Sequence, residues 1–194
     1  MALPALILAS SSSYRRELLA RLQLPFQTIS PELDEYPLAG ESASALVRRL
    51  SYEKAKAIAH DHPDAVIIGS DQVLLWQDQL IGKPLSHAKA HQQLRLLSGQ
   101  QVSFLTGLCV LQLSSDSVRV DVVATEVQYR NLNAAQIERY LNLDQPYDCA
   151  GSFKSEAAGI MLCQRIRSED PTALIGLPLI RLVEWLSEYG YPLP

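Results

Sequence analysis

An acid stands between two apolar runs near the middle of this sequence. In Ala65–Ser86, AVIIGSDQVLLWQDQLIGKPLS, the apolar run Ala65 to Gly69 gives way to Ser70-Asp71-Gln72 and then to Val73–Trp76. An ionised carboxylate in such a setting is costly unless a cation or hydrogen-bond donors meet it. Lys83 follows on a loop restrained by Gly82 and Pro84. The reading is that Asp71 and Lys83 face one cleft and handle a phosphate-bearing ligand, with Asp71 as a general base toward water and Gln72 beside it touching the ligand. A phosphoaspartate role is disfavoured, because the second Asp it normally wants, two residues on, is replaced by Val73. The plainer alternative for Asp71 is a turn residue bonding its own backbone.

Four further groups could join that chemistry. Ser10 to Ser13 precede Tyr14-Arg15-Arg16 at a strand-to-helix junction. Hydroxyls, unpaired N–H groups and the helix dipole favour an anion there. Arg15 and Arg16 add guanidinium forks. Ser10, Ser12, Arg15 and Arg16 are therefore candidate phosphate ligands, against the alternative of a plain cap with a solvated arginine pair; the glycines of a Walker loop are absent. Asp34 and Glu35, in the loop PELDEYP, could share a divalent cation (Mg²⁺ or Mn²⁺) with Asp71, since Mg²⁺ takes only one or two carboxylates beside phosphates and water; otherwise they are solvated loop acids. Lys54 falls inside the apolar stripe of a predicted helix, so it either snorkels to the rim or points into a polar cleft. Lys154 and Glu156 crowd a loop with Gly151 and Phe153, which grips a base or a phosphate or is simply a surface loop. His87 and His91 have a metal-binding spacing but no third ligand, and read as a solvated helix face.

The bulk composition narrows the class. With 194 residues, 47% hydrophobic and 20% charged, the chain can bury a full core. A net charge of −4 disfavours a nucleic-acid-coating role, and the basic residues are not interleaved with aromatics. Cys109, Cys149 and Cys163 are widely spaced with no CxxC pair, which points to reduced thiols in the cytoplasm rather than a zinc site or disulfide framework. The apolar stretch Met1 to Ala9 is too short for a signal peptide, and no run approaches a membrane span.

The elements that must position these residues follow from periodicity. Ala5 to Ala9 reads as a buried strand, followed by a helix carrying Leu18, Leu19 and Leu22 on one face, and a strand over Phe26 to Ile29. Glu41 to His60 reads as a long helix capped by Ser42 or Ser44, with a stripe of Val47, Leu50, Ala57 and Ile58. A helix from about Ser86 to Leu97 is closed by Gly99. Gln101 to Leu113 and Ser117 to Tyr129 read as a hairpin. Asn133 caps a helix to about Leu143, Gly159 to Arg165 reads as a strand, and Leu177 to Tyr189 as an amphipathic helix. The order predicts an α/β fold: a single elongated domain spanning 1–194, with a mixed twisted sheet, flanking helices and a central cleft.

With those residues in view, the chain closely resembles the Maf family of nucleoside triphosphate pyrophosphatases. The markers are LILASSSSYRRELL, PELDEYP, YEKAKA, IIGSDQV, GKPLS, LSGQ, YDCAGSFKSE and GLPL, in order over essentially the whole length. The resemblance implies a divalent metal and a cytoplasmic, often dimeric enzyme. It implies that Ser10 and Arg15 hold the triphosphate, that Glu35 and Asp71 serve metal and water, and that Lys54 and Lys83 neutralise phosphate charge. Tyr14 and the GSFKSE segment resemble the branch acting on 7-methyl-GTP: Tyr14 would stack on the cationic methylated base, and Glu156 would accept from guanine. The alternatives are a dTTP/UTP pyrophosphatase of the same family, or a nucleotide-binding regulator of cell division.

Overall fold

The first apolar run is a strand, β1 (Leu6–Ala9), buried at every position. The structure, a computed structural model, describes residues 3–194, so Met1 and Ala2 of the apolar N-terminal stretch lie outside the described residues. Ser12 caps the helix α1 (Ser13–Ala20), and β2 (Gln27–Ile29) lies parallel to β1. Ser42 caps α2 (Ala43–Ala59) by accepting from the Ala45 N–H. Then come β3 (Val66–Trp76), β4 (Gln79–Ile81), α3 (His87–Leu97), β5 (Gln101–Gln112) and β6 (Ser117–Tyr129). The chain continues with α4 (Ala134–Asp144), β7 (Cys163–Ser168) and α5 (Leu179–Glu188). The strand order is β2-β1-β3-β5-β6-β7, with β4 paired to β3. β1 and β3 are parallel, whereas β3 with β4 and β6 with β7 are antiparallel, so the sheet is mixed and the fold is α/β as the order of elements implied.

Several boundaries differ from the sequence reading. Ser70-Asp71-Gln72 is not a step between two strands but the middle of the single eleven-residue strand β3. The stripe of α2 is broader than four positions: Leu46, Val47, Leu50, Ala55, Ile58 and Ala59 are buried, while Ala57 is exposed. Gly159 begins no strand, because Ala158–Leu162 forms a 3₁₀ turn and β7 starts only at Cys163. Pro178 is the N-cap of α5 rather than a helical residue.

The chain separates into two compact units. One takes the residues up to Asp71, Thr106–Val123 and Asp170–Pro194; the other takes Gln72–Leu105 and Ala124–Glu169. In the first unit, side-chain alternation along β1, β3 and β5 builds two cores. Leu6, Leu8, Val66, Ile68, Leu108 and Val110 pack with Leu18 and Leu19 of α1 and Leu182, Trp185 and Leu186 of α5. Ile7, Ala9, Ile67, Cys109 and Leu111 pack with Ala55, Ile58 and Ala59 of α2. Each fully buried Leu or Ile there contributes on the order of 2 kcal/mol. Burial pushes the Cys109 thiol up to about 12, so it is an inert core residue.

The helix α2 lies unusually close to the sheet. A Cβ on Gly69 of β3 would overlap the Ser51 carbonyl oxygen and approach Ala55 N to 2.9 Å. One on Gly107 of β5 would overlap the Val47 carbonyl and the Ser51 hydroxyl. Glycine is required at both positions because helix backbone occupies the space a side chain would need.

In the second unit, Asn133 caps α4 in a capping box with Gln136. Phe153 packs its ring 5.6 Å from both Phe104 and Tyr129. The segment after α4 is held by side chains: the Ser152 hydroxyl donates to Gln93 Oε1 at 2.6 Å, the Lys154 N–H to the Tyr140 hydroxyl at 3.0 Å, and the Gly159 N–H to Asp144 Oδ2 at 3.1 Å.

Candidate active site

The focus of the first unit is a lysine between two carboxylates. Lys54 projects from the sheet-facing side of α2 and is only 6% exposed. Its Nζ donates to Asp71 Oδ1 at 2.6 Å and pairs with Glu35 Oε1 at 2.7 Å. Asp71, 7% exposed, ends that unit's share of β3. Glu35 comes from the irregular loop between β2 and α2, and its side chain is 56% exposed. Of the two readings open for Lys54, the polar contact is therefore the one realised. The turn alternative for Asp71 falls, because the residue is extended and spends its carboxylate on a distant cation.

The loop carrying Glu35 is fastened from α2. Arg49 Nε and Nη2 donate to the two oxygens of Glu41 at 2.7 and 2.8 Å, and Nη2 also donates to the Tyr36 carbonyl at 3.1 Å. Arg49 Nη1 reaches Glu53 at 2.9 Å, one turn along the helix. Bonding to Arg49 brings the Glu41 carboxyl down to about 2. Asp34 accepts from the Tyr36 N–H at 3.0 Å, a local loop bond.

The serine-capped junction adds an arginine. Ser12 Oγ accepts from the Arg15 N–H at 3.4 Å. The buried Ser10 hydroxyl accepts from the Ser12 N–H at 3.2 Å and from Arg15 Nη1 at 3.4 Å. Arg15 Nε donates to the Gly176 carbonyl at 2.9 Å. Although part of the residue remains accessible, the enclosed guanidinium is pulled below its ordinary value by desolvation, opposed by the negative charges of Asp71 and Glu35. Arg15, Lys54, Glu35 and Asp71 thus form one electrostatic cluster of two cations and two anions. Tyr14 is half-buried in the first turn of α1, and Arg16 stands exposed on the same helix.

Ser70 and Gly176 were not singled out as site residues by the sequence reading. The Ser70 hydroxyl, immediately before Asp71, lies 2.7 Å from the Gly107 carbonyl and 2.9 Å from the Gly176 carbonyl. The only sequence signal for them was a polar step in an apolar strand and a Gly-Leu-Pro-Leu segment.

The remaining candidates belong to the second unit. Gln72 is half-buried on β3, directly after Asp71. Lys83 is exposed on the loop after β4. Lys154 is half-buried in the segment after α4, and Glu156 is exposed there. The face of Glu156 that meets protein is desolvated, which raises its carboxyl despite the favourable charge of Lys154. His87 lies 3.2 Å from Glu138 and edge-on to Tyr147, a packed rather than merely solvated position.

A divalent cation fits the donor set of the first unit. Lys54 engages one oxygen of Glu35 and one of Asp71, and a carboxylate has roughly four lone-pair sites, so an ammonium contact does not exhaust it. Mg²⁺ needs no protein cage, and among the described residues no three His, Cys, Asp or Glu side chains cluster into one.

A family model described as Maf-like protein matches residues 5–189 of this chain. Similar curated proteins include three named 7-methyl-GTP pyrophosphatase. That of Cupriavidus metallidurans is 53% identical over 97% of this chain and 95% of its own length. That of Pseudomonas fluorescens is 54% identical over 97% and 98%, and that of Pseudomonas aeruginosa 51% identical over 99% and 100%. Among the described residues no helix is long and apolar enough to cross a membrane.

Proposed function

The chain belongs to the Maf family, and on that premise we propose that it is a nucleoside triphosphate pyrophosphatase that hydrolyses 7-methyl-GTP to 7-methyl-GMP and pyrophosphate, removing a modified nucleotide from the pool. The observation that carries the reading is Lys54 buried between Glu35 and Asp71, with relatives over 50% identical along nearly the whole chain. Water attacks the α-phosphorus, its proton passes to Asp71, and the bond from that phosphorus to the bridging oxygen breaks to release pyrophosphate. Lys54 fixes the orientation of Asp71 and offers charge to the phosphates. Ser10, Ser12 and Arg15 hold the triphosphate, with Arg16 at the mouth of the same helix end. Lys83 supplies a further phosphate cation. Positioning and charge neutralisation supply most of the catalysis.

Glu35 and Asp71 are the residues that would hold Mg²⁺ or Mn²⁺, whose charge when bound offsets that of the phosphates. Base selection falls to Tyr14, stacking on the cationic ring, and to Gln72, Lys154 and Glu156, with Glu156 accepting from the guanine donors. Three cysteines outside any disulfide suit the reducing cytoplasm. The test is pyrophosphate release from 7-methyl-GTP, GTP, dTTP and UTP, with Mg²⁺, Mn²⁺ or chelator. The reading expects 7-methyl-GTP to be turned over fastest, activity to vanish with chelator, and Glu156→Gln to harm guanine substrates most. Preferred turnover of dTTP or UTP would move the chain to the family's other activity.

A further inference from the structure

Asp170 is a carboxylate only 3% exposed that has no part in the chemistry given above. Its Oδ1 accepts from the Thr172 N–H at 2.9 Å and the Thr172 hydroxyl at 2.6 Å, and its Oδ2 accepts from the Ile180 N–H at 2.7 Å. Thr172 Oγ1 in turn accepts from the Leu179 N–H at 2.8 Å and lies 2.9 Å from the Leu177 carbonyl. These bonds tie the start of α5 back to residue 170 and close the segment between them into a tight arch. A carboxylate is seldom buried this deeply unless donors meet it, and here two backbone N–H groups and a hydroxyl do.

At the crown of the arch is Gly176, with φ +126 and ψ 6, a conformation that L side chains rarely adopt. Its carbonyl receives Arg15 Nε at 2.9 Å and the Ser70 hydroxyl at 2.9 Å. The arch is also pinned to β5, where the Thr106 hydroxyl donates to the Ala173 carbonyl at 2.8 Å. One backbone oxygen therefore sets the Nε edge of Arg15 and touches the residue before Asp71. A guanidinium fixed at Nε has its Nη groups aimed, and Nη1 faces Ser10.

We propose that Asp170 and Thr172 are positioning residues of the triphosphate-holding arginine: they lock the Gly176 carbonyl, which aims Arg15 at the phosphates. The proposal rests on the reading of Arg15 given above. Neither Asp170 nor Thr172 touches substrate; both act through the arch.

The test measures KM and kcat for 7-methyl-GTP in the full chain carrying Thr172→Val, Thr172→Ser or Asp170→Asn, each also combined with Arg15→Lys. Lysine keeps a positive charge but cannot make the Nε bond to Gly176. The expected result is a KM raised about tenfold by Thr172→Val, with a smaller change in kcat, and near-parent values for Thr172→Ser, because one lost aiming bond is worth roughly one decade. In the Arg15→Lys background the Thr172→Val effect should shrink to less than about twofold, the non-additivity of residues that act through one another. Effects that multiply undiminished in that background overturn the proposal, as does an unchanged KM in Thr172→Val. Should Thr172→Val fail to fold, Asp170→Asn carries the same test, since it replaces one of the two acceptor oxygens that hold Thr172 and the Ile180 N–H without touching Arg15. Parent activity in Arg15→Ala would instead overturn the reading of Arg15 itself, whatever the arch does.

Discussion

Two cations on one helix, five residues apart, hold acids in opposite ways. Arg49 grips Glu41 and Glu53 along the outer side of α2 in a part-buried cluster whose Glu53 end opens to solvent. Lys54 grips Asp71 against the sheet, where both partners are nearly closed to water. Water and salt reach the first cluster at its Glu53 end, and its bonds to Glu41 and the Tyr36 carbonyl pin a loop. The second has surrendered hydration on both sides, and an apolar pair of similar volume would stabilise the fold at least as well. The buried pair is the one whose retention needs a chemical reason, and the pinned loop delivers Glu35 to it.

The contrast breaks most decisively at Asp71. Asp71→Asn should lower pyrophosphate release by about 10²–10⁴ while the protein stays folded, the usual span for loss of a general base; parent turnover would remove the proposed mechanism. Lys54→Met comes next. It strands Asp71 without its cation, and a drop of ~3–5 kcal/mol in urea unfolding is expected, as when one partner of a buried pair is removed. An unchanged midpoint would show that Asp71 is hydrated after all. Arg49→Gln should leave the urea midpoint almost where it was and instead weaken activity modestly, through looser delivery of Glu35. A stability loss matching that of Lys54→Met would erase the distinction between the two clusters.

The smallest expected effect is on pH. The Glu41 carboxyl is held at about 2 by Arg49, below its ordinary 4.5. A depressed carboxyl stabilises the fold above its unfolded value, and that contribution fades as pH falls from 4.5 toward about 2. Amide protection in the loop around Tyr36, corrected for the intrinsic exchange rate at each pH, should fall over that window in the parent and be flat in Glu41→Gln. A loss of protection of equal size in both would assign the transition to another group.

Local chemistry wrote much of this fold into the sequence. Asn133 caps the helix it was expected to cap, and of the two serines open for α2 it is Ser42 that does so. Asp71 and Glu35 were legible as acids in search of a partner, and Lys54 as a lysine on the wrong side of a helix. The continuity of β3 was not, because what makes Ser70 tolerable inside a strand is a pair of carbonyls from residues 107 and 176. The Asp170 arch was hidden for the same reason. Its donors are mostly backbone N–H groups, which leave no mark in a sequence, and Asp-Pro-Thr reads as an ordinary turn.

The two bare positions under α2, Gly69 and Gly107, have a consequence for chemistry as well as packing. An ammonium on a four-carbon stem has a fixed length, so whether it meets Asp71 depends on how far the helix stands off the strands. A methyl group at either glycine would act as a spacer and lift the helix. It would leave every charged residue in the chain intact while carrying the lysine out of range of its acid.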